Sequence, residues 1–177
     1  MGEIFKKVPE LQKIAELRFA GEGNGSRVYW DNRELVGGRP AEHMMSTPSY
    51  PSVVRVSRKV NATDAFTCLL FELNNFMIDR EYDKLRNSSP KQRTTREAFA
   101  ERCVRCEFEA LLETKALLKK HPLPVQDSNA CPIYSTVVAH EEDFSAYKKW
   151  LMSLPSGEYD PYKFYGEEYD EVIRASR

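Results

Sequence analysis

The sequence predicts one α+β domain dominated by helices, with a central pair of long antiparallel helices and a small antiparallel sheet. Apolar residues recur with helical spacing over residues 63–86 and again over residues 95–120. Strand-like patterns are short and occur at residues 26–30, 52–58 and 133–139. Hydrophobic residues make up 41% and charged residues 30% of the 177 positions, which is typical of a single globular core.

The N-terminal part is predicted to hold one helix and one strand before a long loop. Pro9 suits the first turn of a helix over residues 9–20, and a glycine-rich turn separates this helix from the strand at residues 26–30. Residues 36–51 contain paired glycines and three prolines, so we expect a surface loop there, with His43 as an exposed loop residue.

The two long helices are predicted to follow a strand. Residues 52–58 alternate valine with polar residues, which is typical of an edge or meander strand with one solvent-exposed face. The helix over residues 63–86 has a broad apolar face. Thr94 and Glu97 have the spacing of a capping box at the start of the helix over residues 95–120. Because the connection is short, we expect the two helices to pack as antiparallel neighbours.

The C-terminal part is predicted to contain a final core helix and an aromatic tail. Asp143 can cap a helix over residues 144–154, which would complete a globular domain of residues 1–154. Residues 155–177 begin with a tyrosine-rich acidic stretch that shows no clean period. We expect this segment to pack on the domain or to serve as an interaction arm, because tyrosines are favoured at interfaces.

The charge balance restricts the partners. Basic and acidic residues number 26 and 27, a net charge of -1, so the protein offers no long-range attraction for nucleic acid. No run approaches the roughly 18 apolar residues of a membrane-spanning helix, so no membrane insertion is expected. The N-terminus lacks the apolar core of a signal peptide, which predicts a cytoplasmic protein or one secreted without a cleaved signal peptide.

Three of the four cysteines lie in predicted helices, which favours reduced thiols. Cys103 and Cys106 form a C-x-x-C, but no second pair follows at zinc-finger spacing. We interpret both as small apolar residues facing the core, and we expect neither a metal nor a cofactor.

The strand at residues 52–58 is followed by a helix that carries Phe71-Glu72-Leu73-Asn74-Asn75. Zincin metallopeptidases place an edge strand before a helix with H-E-x-x-H, in which two histidines bind zinc and the glutamate is the general base. This segment resembles that frame, with Phe71 and Asn75 at the ligand positions and only Glu72 matching. Since neither a phenyl ring nor a carboxamide replaces imidazole at zinc, zinc hydrolysis is not expected.

The resemblance implies a degenerate, zincin-like scaffold that is used for binding. It is similar to proteins found around bacterial secretion systems, including type VI systems. The function that it implies is a non-enzymatic, protein-binding effector or virulence factor whose partner is another protein. An immunity protein that neutralises a cognate toxin is a further alternative.

Two groups of residues are candidates for binding. Glu72, Glu107 and Glu109 can meet across the helical pair as inward carboxylates, although the E-x-x-H spacing of carboxylate metal sites is absent. The second group comprises the aromatic residues Tyr159, Tyr162 and Tyr165.

An enzymatic alternative uses Cys131 as a thiolate nucleophile and His140 as its base, in a hydrolase or transferase. A strand over residues 133–139 would hold the two at opposite ends, whereas a loop would bring them together. No complete catalytic motif occurs, so we expect the protein not to be an enzyme.

Overall fold

The computed structural model describes residues 27–32, 35, 41–44, 53–59, 65–75, 94–120, 143–153 and 160–175, together with Pro9 and Lys84. The predicted strand at residues 133–139 lies outside these residues. So does the predicted helix over residues 9–20, apart from Pro9, which is helical.

The described residues form a helix-dominated α+β fold, as predicted. Its elements, in chain order, are β1 (Arg27–Asp31), β2 (Ala41–Met44), β3 (Val53–Ser57), α1 (residues 65–75), α2 (Arg96–Lys120), α3 (Phe144–Ser153) and α4 (Pro161–Ala175). In this part of the chain, no helix has both the length and the apolar character needed to cross a membrane.

The three described strands form a mixed sheet in the order β1-β3-β2. β2 runs antiparallel to β3, but β1 runs parallel to it, so the prediction of an antiparallel sheet was wrong for that pair. The prediction of an edge or meander position for β3 was also wrong, because β3 has a neighbour on both sides and runs parallel to β1, which is not the strand before it in the chain. A period of two specifies a strand and its buried face, but it carries no information on the direction of the neighbouring strands.

β2 lies inside the segment that was predicted to be a loop. Ala41 is buried, and half-buried His43 pairs with Val54 of β3, so the prediction of an exposed loop histidine was wrong. A strand of four residues has little local preference of its own. Pairing with a central strand and burial against the core decide its structure instead.

One core lies between the sheet and α1. Val54 and Val56 of β3 and Ala41 of β2 point to the same side of the sheet. They pack against one side of α1, which presents Ala65, Cys68, Leu69 and Leu73. Val54 and Val56 of β3 are therefore buried on the predicted side, although Ser57, which lies on the same side of the strand as Arg55, is buried as well.

A second core lies among α2, α3 and α4. α2, the longest of the described helices, starts and ends within one residue of the prediction and buries residues that include Phe99, Cys103, Val104 and Phe108. The prediction of Thr94 as its cap was wrong by one position, because the side-chain oxygen of Thr95 accepts the bond from the Ala98 amide at 3.2 Å. The Thr94 carbonyl accepts a hydrogen bond from the hydroxyl of Tyr169.

The two cores are joined by a buried hydrogen bond. Nδ2 of Asn74 in α1 donates to Oγ1 of Thr114 in α2 at 2.8 Å. α1 and α2 are therefore neighbours, as predicted for the two long helices. Their antiparallel arrangement stays a prediction.

The C-terminal helices begin with side-chain caps. Asp143 caps α3, as predicted, and its Oδ1 accepts a hydrogen bond from the Ser145 amide at 2.8 Å. Asp160 accepts one from the Lys163 amide at 3.1 Å, and Pro161 occupies the first helical position of α4. The acidic, tyrosine-rich stretch is thus helical from Pro161 onward and packs along α2.

Candidate functional site

The three predicted carboxylates do not form one site. Glu72 is buried in α1, Glu107 is half-buried in α2, and Glu109 is exposed. Across the described residues, no group of three His, Cys, Asp or Glu side chains is placed to hold a metal ion. Glu109, which is exposed on α2, is therefore not the inward carboxylate that was predicted.

Glu107 instead belongs to a cluster of tyrosines between α2, α3 and α4. The hydroxyl of Tyr165 donates a hydrogen bond to Oε1 of Glu107, and only 6% of Tyr165 is exposed. Tyr147 of α3 is also buried. Its burial, reinforced by the negative charge of Glu107, raises the pKa of the Tyr147 hydroxyl. The structure thus brings two predicted binding residues together, inside the protein.

Tyr162 lies half-buried at the edge of this cluster. Its hydroxyl is shielded from solvent and has no hydrogen-bond partner in the described part of the chain. Nζ of Lys148 lies 5.5 Å from the centre of the Tyr162 ring and donates to Oε2 of Glu101 at 2.5 Å. Burial raises the pKa of the Tyr162 hydroxyl, with a partial offset from the positive charge of Lys148. These are the properties of a packing residue.

The remaining predicted site residues are not described. Tyr159 and both members of the enzymatic alternative, Cys131 and His140, lie outside the described residues. The other three cysteines, Cys68, Cys103 and Cys106, form no disulfide bond among the described residues. Cys68 and Cys103 are fully buried and Cys106 is half-buried, so the expected position facing the core is clear for Cys103 and partial for Cys106.

The zincin-like segment lies on α1. Phe71 packs against the core formed by α2, α3 and α4, Glu72 is buried, and Asn75 is half-buried. β3 precedes α1 in the chain, but it is the middle strand of the described sheet, whereas the resemblance rests on an edge strand before the helix. The resemblance itself stays a prediction.

A surface that the sequence did not predict covers the outer side of the sheet. We call it the Arg55 face. It includes Tyr29, Asp31, Glu42, Met44, Val53 and Arg55, and the strand register places Arg27 and the buried Ser57 on the same side of the sheet. Arg55 pairs directly with Tyr29 on one side and with Glu42 on the other. Residues paired across strands, and every second residue along a strand, share one face of a sheet. These side chains therefore lie opposite Val54 and Val56, which face the core.

The guanidinium of Arg55 is fixed by carboxylates from both neighbouring strands. Its Nε donates to Oδ2 of Asp31 at 3.1 Å, and Nη2 donates to the same oxygen. On the other side, Nη1 donates to Oε1 of Glu42 at 2.5 Å. The hydrogen bond to Asp31, followed by the charges of both carboxylates, raises the pKa of Arg55. With 23% of its side chain exposed, Arg55 is both held and accessible.

Large apolar side chains flank this ion-paired centre. Tyr29 is 44% exposed and Met44 is 51% exposed. Tyrosine, methionine and arginine are among the residue types enriched in the buried parts of protein interfaces. The Arg55 face therefore has the composition of a docking surface.

The sequence did contain a signal for this face. Tyr29 and Trp30 are consecutive in a strand, so they point to opposite sides of the sheet and cannot both enter one core. Arg55 lies between two valines and must face away from the core that they enter. The partners Glu42 and Met44 could not be found, because β2 itself was not predicted.

Comparison with family models, with curated proteins and with solved structures finds no match to this chain. Any inference about the function of this chain therefore has to be drawn from the geometry of the described residues.

Proposed function

We propose that this chain is a non-enzymatic protein-binding protein that docks its partner on the Arg55 face. The observation that carries the proposal is the exposure of Tyr29 and Met44 on either side of an ion-paired Arg55. The tyrosine and glutamate side chains described between the helices bond and pack with one another inside the protein, which supports a structural role for them.

Two physical properties support binding at this surface. Burying the exposed parts of Tyr29 and Met44 against a partner would gain about 25 cal/mol for each Å² of apolar surface removed from water. Arg55 is already ordered by Asp31 and Glu42, so a partner would immobilise little additional side-chain freedom there. The opposite face of the sheet rests on α1, which gives the surface a rigid support.

The biological setting that we propose is the one that the zincin resemblance implies. In it, the chain is a bacterial secretion-system effector or virulence factor that acts by binding, or an immunity protein that binds a cognate toxin. Both roles need a protein partner and neither needs chemistry by this chain.

The experiment is a comparison of three tagged full-length chains as bait in a lysate of the native host. The first is the wild type, and the second carries Tyr29→Ser and Met44→Gln, which remove the exposed apolar groups of the Arg55 face. The third carries Met152→Gln and Phe164→Ser as a matched control, because these residues of α3 and α4 are 73% and 49% exposed.

We expect one or more proteins to be enriched equally by the wild type and the control, and to fall at least about tenfold with the sheet variant, which corresponds to a loss of about 1.4 kcal/mol. Equal capture by the sheet variant would contradict docking on the Arg55 face. Circular dichroism of all three chains would show that they share one fold.

A further inference from the structure

We draw no further inference here: the strongest candidate, the Arg55 face on the outer side of the sheet, belongs to the docking surface already proposed, and nothing in the described residues shows which chemical group covers it.

Discussion

The hydroxyl of Tyr165 donates a hydrogen bond to Oε1 of Glu107, which joins the C-terminal helix α4 to the long helix α2. One turn earlier on the same helix, the hydroxyl of Tyr162 is shielded from solvent and has no partner in the described part of the chain. The two tyrosines thus form a natural pair for measuring what a shielded hydroxyl contributes to stability.

We expect Tyr165→Phe to lower the free energy of unfolding by about 1.5–3 kcal/mol, because it removes a hydrogen bond to a charged, half-buried carboxylate. Tyr162→Phe is the matched control. It is expected to be neutral or slightly stabilising, since it removes a polar group that gains nothing from burial. Urea unfolding of the two variants measures the difference, and an equal loss of stability in both would contradict this account.

The buried hydrogen bond between Asn74 and Thr114 supports a second prediction. Thr114→Val removes the acceptor of the Asn74 amide, and both residues are buried, so we expect it to destabilise the protein by about 1–3 kcal/mol. A double-mutant cycle with Asn74→Ala is expected to show a coupling energy of about 1 kcal/mol. Additive losses would show that this bond does not hold α1 to α2.

Gly166 allows a close approach between α4 and the start of α2. A Cβ atom at this position would lie within 2.6 Å of the guanidinium of Arg96, which also donates to Oδ2 of Asp170 at 3.1 Å. In Gly166→Ala the guanidinium must move and this exposed ion pair is lost, at a cost of about 0–1 kcal/mol. The gain in helix propensity is about 1 kcal/mol. We therefore expect a net change near zero.

The control for Gly166→Ala is the same substitution in an Arg96→Ala background. With the guanidinium absent, we expect the alanine to stabilise the protein by about 0.5–1 kcal/mol, measured by urea unfolding. A loss of stability in both backgrounds would mean that the backbone of α2, and not the Arg96 side chain, limits the approach of α4.

The buried hydroxyl of Tyr147 predicts a loss of stability at alkaline pH. Burial and the charge of Glu107 raise its pKa in the folded protein above the ordinary value of about 10. Above that value the unfolded chain loses the phenolic proton while the folded protein keeps it, so the free energy of unfolding falls as pH rises. Below about pH 10 the Tyr147 hydroxyl is protonated in both states and the free energy of unfolding is at its full value. Above that pH, the free energy of unfolding falls by up to about 1.4 kcal/mol per pH unit.

Urea unfolding from about pH 8 to about pH 11 measures this dependence. Tyr147→Phe is expected to give a shallower decline than the wild type. Lys148 is expected to contribute in the same direction in both proteins, because its hydrogen bond to Glu101 raises its pKa. Superimposable pH profiles of the two proteins would exclude Tyr147 as the cause.

The elements that could be predicted are those whose structure is specified locally. α2 repeats its apolar positions over 25 residues, and α3 begins at a recognisable aspartate cap, so both were found nearly to the residue. α4 carried comparable signals in Asp160, Pro161 and the inward-facing Tyr162, Tyr165 and Tyr169. The surrounding glycine and acidic residues obscured them, because composition and helical spacing pointed to different structures.

The candidate site could not be predicted, because it depends on pairing between distant strands. Arg55 meets Asp31 and Glu42 only once β1 and β2 lie on either side of β3. Nothing local to residues 41–44 favours a strand, and no period in β1 specifies a parallel partner. Sequence reasoning found the face that each strand buries, whereas the neighbours of Arg55 depend on the fold.

α1 lies between the two cores, so it couples their local unfolding. Its residues Ala65, Cys68, Leu69 and Leu73 pack under the sheet, while Phe71 and Asn74 engage the helical side. Neither core can release α1 without exposing part of the other. Backbone amides of β3 and of the middle of α2 should therefore exchange with solvent deuterium through one shared opening event, so that a docked ligand on the sheet slows exchange in a helix it never touches.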